Sequence, residues 1–548
     1  MKSIKNKLQI SAALALSLIA GSCVPDMELD NPAELSVETY YTTVDELEAA
    51  IIPAYQALIG ANQGGYGRYI IFNLMAPADD YDKTFKWSDL YQDTYTTPAS
   101  NSEILASWKD MFTGVFAANI AIEQIEAFEG DIDDDTRDRM LGEAHFLRGI
   151  CYMHLVQLFG ETVPYWDHSI QSSDEYYPGN AEAGQIYALI ISDFAEAADL
   201  LPLRSVMYSD SDMIGRATKG TAQAYLARAY MYRPILEKGE SAEWSKAAEA
   251  LKSIIDSGEY QLMDNFRANS YGWDFQSELE NNEESLFEIQ MYNGTSWLGG
   301  DISDSWRWQE IGVPDGTGSS WWNLAPNQLA YDEFEDGDPR RYMTLWCPNG
   351  AYYTELDGTV CTWDDMLANL SADTDLFGTR KECPDEQLSD TDDDINTRLM
   401  RYSDVLLMYA ECLSELGNDS KDITDTGGPK YYIQMVRDRA NNIVPEEQEH
   451  LWYHSSPGTI PTVDELLSEA PTINGVKMNS IKNIIQHERF VEFCGEYCRY
   501  FDLLRWGMED SSWLSNLQDL GWSEKAMYYP FPEEELANNP NLVGNDMN

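Results

Sequence analysis

Apolar residues recur at a helical period along most of the chain. From Gly142 to Trp166 (GEAHFLRGICYMHLVQLFGETVPYW), Leu147, Ile150, Cys151, His154 and Leu158 share one face, while Gly149, Tyr152 and Val156 share the opposite one. A helix with buried-type residues on both sides is expected inside a stack. Gly149 would let a neighbouring helix approach closely, Gly160 suits the left-handed position after the last turn, and Pro164 stops the helix from resuming. The same period predicts helices within 31–58, where Leu47, Ala50, Ile51 and Ala54 fall on one side, and over 102–128, 135–159, 185–200, 219–232, 241–257, 397–417, 431–442 and 479–505. In the last of these, Ile484, Val491 and Cys498 form a packing seam.

Two stretches break the period. Residues 60–100 read as an irregular excursion, with Gly64, Gly65 and Gly67 followed by Trp87, Tyr91 and Tyr95, and they are too long for a mere connector. Residues 260–396 turn to Gly, Asp, Asn and Trp, with a strand-like piece at 285–291 and Trp273, Trp297, Trp306, Trp308, Trp321 and Trp322 close together. The helices form pairs in which large and small residues alternate, as in the stripe of Ala222, Leu226 and Ala229, and they resemble tetratricopeptide repeats with irregular spacing and insertions. The expectation is a mainly α single domain over 23–548. A helical scaffold covers about 31–258 and 397–510, and a loop-rich ligand-binding insertion with short strands covers about 260–396.

Aromatic residues make up 12% of the 548 positions, including 16 Trp and 33 Tyr, more than a routine core requires. Thirty-six Lys plus Arg against 94 Asp plus Glu give a formal charge of -58, which repels phosphate backbones and argues against a nucleic-acid partner. At the N-terminus, Lys2, Lys5 and Lys7 precede the apolar run Leu8 to Ala20, which is short for a membrane span and reads as a signal peptide over 1–22. Ala20-Gly21-Ser22-Cys23 resembles the lipobox of bacterial lipoproteins, which implies cleavage before Cys23 and acylation by more than one chain, enough for stable attachment. Cys151, Cys412 and Cys494 fit helical cores, and a Cys347–Cys361 bridge is compatible with export.

Four segments in order resemble the SusD/RagB family of outer-membrane lipoproteins of Bacteroidetes: the lipobox end at Cys23, GEAHFLRGICYMHLVQLFGETVPYW, RYSDVLLMYAECLSELG, and HERFVEFCGEYCRYFDLLRWG with the terminal YYPFPEEEL. The resemblance spans nearly the whole chain. It implies a SusD-like fold of tetratricopeptide-like helices under a loop-rich ligand face, and non-catalytic glycan capture on the extracellular side of the outer membrane. It also implies a SusC-like TonB-dependent transporter as partner. The family's ligand-contacting loops vary, so it transfers no individual binding residue.

Sugar rings carry a patch of C–H groups that a flat indole or phenol complements, while nearby carboxylates and amides engage the hydroxyls. The glycan-binding candidates are therefore Trp87, Tyr91, Trp273, Trp297, Trp306, Trp308, Trp321 and Trp322, the later ones interleaved with Asp301, Asp304, Gln309 and Asp315. In an extended chain Trp306 and Trp308 would share a side, whereas Trp321 and Trp322 would face opposite sides with only one exposed. Capture of peptide or another non-glycan nutrient is the alternative. A surface glycoside hydrolase would need two carboxylates at a set separation, which no feature nominates. No cofactor is expected. The acidic loop of Asp390, Asp392, Asp393 and Asp394 suits Ca2+ in charge, but Ile395 and Arg401 stand where an EF-hand needs Gly and Glu. His487, Cys494 and Cys498 on one helical face read as core, since one helix cannot close a tetrahedral zinc site.

Overall fold

The computed structural model describes residues 41–84, 91–264, 279–291, 305–312, 320–348, 353–354, 360–370, 375–381, 395–442 and 459–545. Cys23, Trp87, Trp273, Trp297, the acidic loop at Asp390 and the side chain of Trp308 lie outside the described residues. The elements that carry the architecture are, in order, α1 (Val44–Ile59), α2 (Tyr69–Met75), β1 (Tyr81–Lys83), α3 (Ser102–Ala127), α4 (Asp134–Phe159), α5 (Gln185–Leu200), α6 (Lys219–Met231) and α7 (Trp244–Ser257). They continue with β2 (Ser285–Ile289), α8 (Arg307–Ile311), β3 (Leu324–Pro326), β4 (Thr397–Arg401), α9 (Tyr402–Glu415), α10 (Pro429–Ala440), α11 (Ile481–Phe493) and α12 (Arg499–Glu509).

The helices begin where the sequence supplies caps. Thr43 and Glu46 make a capping box at α1, and Asn101, Asp133, Thr218 and Ser480 accept from backbone N–H groups in the first turns of α3, α4, α6 and α11. In space α1, α3, α4, α5, α6 and α7 pack in succession, and α7 then packs on α9, which packs on α10 and α11. The array interrupted in sequence between α7 and α9 is thus continuous in the fold. As expected, α4 is buried all round from Gly142 to Phe159 apart from a partly covered His145. A Cβ on Gly149 would stand 2.8 Å from Cε1 of Phe194, so the close approach of α5 depends on its absence. No helix among the described residues is long and apolar enough to cross a membrane.

Several elements differ from the sequence pattern. The helix expected over 397–417 begins as a strand: β4 pairs antiparallel with β2, Ser285 opposite Arg401 and Ile289 opposite Thr397, and the ladder holds five residues extended before α9 starts. The helix expected over 479–505 is two helices, because Gly495 takes φ +81 and turns the chain. The excursion over 60–100 is partly regular, containing α2 and β1, and β1 pairs antiparallel with β3, Tyr81 opposite Pro326. Cys347 is a free buried thiol, so the Cys347–Cys361 bridge is not formed. The 260–396 stretch also has a core of its own. Ile311, Leu324, Leu345, Trp346, Trp363 and Phe377 cluster with Ile71, Phe72 and Met75 of α2 and with Phe490 and Val491 of α11, which seats the insertion on the scaffold.

Candidate functional site

The excursion after α1 is pressed against the scaffold. A Cβ on Gly64 would come 2.1 Å from the Ala106 carbonyl oxygen of α3, so only glycine fits there. Asp110 of α3 fixes the loop by accepting from Asn62 N–H at 3.0 Å, Asn62 Nδ2 at 2.7 Å and Gly64 N–H at 2.7 Å. These contacts position Arg68 and Tyr69, which the sequence pattern did not single out.

The insertion meets this loop directly, since Trp306 N–H donates to Gly67 C=O at 2.9 Å. The Arg68 guanidinium lies 4.3 Å from the Trp306 ring centroid, 4.6 Å from Tyr69 and 5.6 Å from Trp321. The two indoles stand edge to face at 69°, with centroids 6.2 Å apart. Arg68 Nε donates to Glu310 Oε1 at 2.6 Å and Nη1 to Gln63 Oε1 at 2.7 Å, so its edge is held by polar partners while its faces meet rings.

Glu310 anchors the other side. Its side chain is fully buried, burial pushes its carboxyl up, and the Arg68 charge opposes that shift. Asn323 Nδ2 donates to Glu310 Oε2 at 2.6 Å, Asn323 N–H to Glu310 C=O at 2.7 Å, and Trp321 N–H to Gln309 C=O at 2.6 Å, tying 321–323 to α8. The result is a corner of Tyr69, Trp306 and Trp321, each half-buried, with the half-buried Arg68 guanidinium lying against all three rings. Such a corner offers apolar ring surface beside amides and a cation, the chemistry that suits a pyranose face.

Of the predicted rings, the corner gathers Trp306 and Trp321. Trp322 is 0% exposed, at φ +50, with its indole N–H donating to Phe377 C=O at 3.2 Å, so it has no face open to a ligand. Tyr91 is exposed just before the turn Gln92–Thr94. Trp306 and Trp308 do not lie on one extended stretch, because 307–311 is helical. Asp80 and Asp93 are carboxyls pushed up to about 7 and about 6, by burial first and neighbouring carboxylates second, but both are interior, at 3% and 8% exposure. Among the described residues no cluster of His, Cys, Asp and Glu could hold a metal ion.

The chain is similar over its length to known proteins. A SusD-like protein of Formosa agariphila is 25% identical over 97% of this chain and 97% of its own length. Solved structures share the fold. A SusD superfamily protein from Bacteroides vulgatus has a TM-score of 0.70 and 22% identity, covering 93% of this chain and 100% of its own. Surface glycan-binding protein A from Bacteroides fluxus has 0.67 and 22%, covering 92% and 99%. A third structure, described as with xylogluco-oligosaccharide, has 0.67 and 20%, covering 90% and 97%. Residues 38–231 match a family described as starch-binding and associating with the outer membrane. Residues 259–547 match the model of the SusD family, more than half of the chain, and the chain belongs to that family.

Proposed function

We propose that this protein captures oligosaccharide without catalysis, on the corner formed by Tyr69, Trp306 and Trp321. It does so at the cell surface, anchored in the outer membrane through an acylated Cys23, and hands the glycan to a SusC-like TonB-dependent transporter. The observation that carries the reading is the arginine-braced pair of half-buried indoles, with centroids 6.2 Å apart, at the junction of the two loop regions. Rigid aromatic surface held in advance of binding loses little entropy when a sugar stacks on it. The reading is further supported by relatives whose descriptions name glycans. Trp87, Tyr91, Trp273, Trp297 and Trp308 remain candidates to extend the platform.

Isothermal titration of the mature chain against a panel of oligosaccharides tests the proposal, with Trp306→Ala and Trp321→Ala as variants. Binding of at least one glycan, weakened roughly tenfold or more in each variant, is expected, a loss of about 1.4 kcal/mol. No binding across the panel would overturn the ligand class and turn attention to peptides. Binding that is indifferent to both variants would overturn the site, and release of reducing ends would overturn the absence of catalysis.

A further inference from the structure

Between the segment 95–99, ahead of α3, and the segment 525–530, after α12, lies a recess of about 510 Å3, a volume within the range of ligand pockets. We propose that this recess is a separate binding site for an aryl carboxylate, its ring lying against the tyrosines of the wall and its carboxylate meeting Lys525. The site goes beyond glycan capture at the corner and does not depend on it.

The wall is held in place before any ligand arrives. Tyr95, Tyr500, Tyr528 and Tyr529 each donate their hydroxyl to a backbone carbonyl, those of Pro77, Met527, Ile235 and Asn73. Tyr95 and Tyr500 stand with ring centroids 6.4 Å apart. Tyr95 does so from the left-handed region, at φ +53, where a bulky residue is strained, and its bond to Pro77 pins the ring. Rings locked in this way lose little entropy when another flat ring packs on them.

The polar groups decide which flat ligand fits. The tyrosine hydroxyls have already donated. Asn73 Nδ2 donates to Ser107 Oγ at 2.9 Å, and Asn73 Oδ1 accepts from Gln92 Nε2 at 3.0 Å. Gln157 Oε1 lies 3.2 Å from His154 Nδ1, and Thr96 Oγ1 lies 2.9 Å from Thr94 Oγ1. A pyranose, with hydroxyls on most of its carbons, would find few partners here, and each polar group left unmatched is costly. An aromatic ring makes no such demand.

Lys525 adds a charge. It is the one ionised group of the wall, since burial pushes the four phenols up and keeps them neutral. Lys525 is exposed, and among the described residues no carboxylate pairs with it, although the chain carries 94 acids. A carboxylate on the ligand completes a charge-assisted hydrogen bond there. A free aromatic acid and the aromatic C-terminal residue of a peptide both offer this chemistry.

The test is titration of the mature chain with benzoate, cinnamate and N-acetylphenylalanine in turn, with methyl cinnamate as the uncharged control, repeated with Lys525→Gln and Tyr95→Gly. Glycine takes the left-handed backbone without strain, so Tyr95→Gly removes a wall ring while suiting the turn. At least one acid is expected to bind. Its affinity should fall about threefold to fivefold in Lys525→Gln, and methyl cinnamate should bind more weakly than cinnamate by a similar factor, as suits an exposed ion pair. In Tyr95→Gly the fall should be about tenfold or more. Tighter binding of benzoate or cinnamate identifies a free acid as occupant, and tighter binding of N-acetylphenylalanine identifies a peptide end. No heat with any acid, an ester as tight as its acid, or unchanged affinity in Lys525→Gln overturns the proposal. Should Tyr95→Gly not fold, the ester and Lys525→Gln decide alone. Trp306→Ala is expected to leave acid binding unchanged, and a loss there would place the acid on the corner and overturn the recess as its site.

Discussion

Arg401 and Arg68 do related chemistry in opposite settings. At the end of β4, Arg401 is 2% exposed and donates to Glu284 at 2.9 Å, to Glu492 at 2.8 Å and to Glu496 at 2.8 and 3.0 Å, with its guanidinium 4.9 Å from the Phe493 ring. Arg439 binds Glu284 and Glu492 from the other side, and Arg340 and Arg437 share Glu488. Arg68 likewise combines a carboxylate with aromatic rings, but it is half-buried and its rings belong to the surface. In this lattice of buried ion pairs, polar closure joins the residue before β2, β4, α10 and α11, elements that neither helical period nor apolar burial alone would register. At the corner, the same pairing leaves the rings half-buried, the surface proposed for the glycan.

The sharpest break of this comparison is Arg401→Ala. Three buried carboxylates would lose a shared cation, and breaking a buried pair from one side costs about 3–5 kcal/mol. Denaturant unfolding is expected to show that loss, with glycan affinity of the folded fraction unchanged. A loss of affinity at full stability would mean that the lattice reaches the ligand.

Trp321 and Trp322 place the two regions one residue apart. Trp322→Ala empties a core site and is expected to cost about 3–5 kcal/mol in unfolding. Trp321→Ala is expected to leave the melting temperature nearly unchanged and to weaken oligosaccharide binding roughly tenfold. Reversal of the two effects, read by thermal melting and titration, would exchange their roles.

That pair also shows what the sequence could tell. Adjacency alone implies that one ring is exposed and one is not, but which one depends on the strand pairing of β1 with β3, a contact between residues 81–83 and 324–326 that no local pattern encodes. The helices were legible because caps and apolar period agree, as at Thr43 with Glu46 and along α4. The ion-pair network does leave a local signal: Glu488 and Glu492, four apart between apolar residues, share a face of α11 and are both buried, while Glu496 follows beyond the turn at Gly495. Thr397 to Arg401 read as helix because the apolar run continues into α9, and only its ladder with β2 makes it a strand. Arg68 was silent, since it acquires its role from Trp306, Glu310 and Trp321, far away in the chain.

Acid and base should separate the regions further. The arginines hold the carboxyls of Glu492, Glu496 and Asp502 down to about 2 against the cost of burial. Because these folded-state values are depressed, the stability they contribute is present above the ordinary carboxylate range near 4 and is lost as pH falls towards 2. For His487 the sign is opposite. Its two glutamates overcome burial and raise it to about 9, so its contribution is complete below about 6.5 and is lost as pH rises through 9. Asp80 and Asp93, raised to about 7 and about 6, share the sign of His487 and lose stability as pH rises from about 4 through those values. Melting temperature against pH is therefore expected to pass through a maximum between about 4 and about 7 with losses on both sides, while glycan affinity stays flat across that range. A melting temperature still rising below pH 4 would overturn the account of the lattice.

The smallest effect expected is that of salt on glycan binding, and its smallness is informative. The chain carries a formal charge of -58, so any charged ligand would meet a strong field, and raising ionic strength from about 50 mM to about 500 mM would change its affinity severalfold. A neutral sugar stacked on Trp306 and Trp321 feels none of that field, and Arg68, the cation nearest the corner, already has Glu310 as its counter-ion. Titration over that range is expected to move the dissociation constant by less than about twofold. Affinity that rises with salt would indicate an anionic glycan screened from the protein's own charge, and affinity that falls would indicate a cationic ligand drawn by it. Either result would replace ring stacking by electrostatics as the basis of capture and would make the surface acidity part of the site.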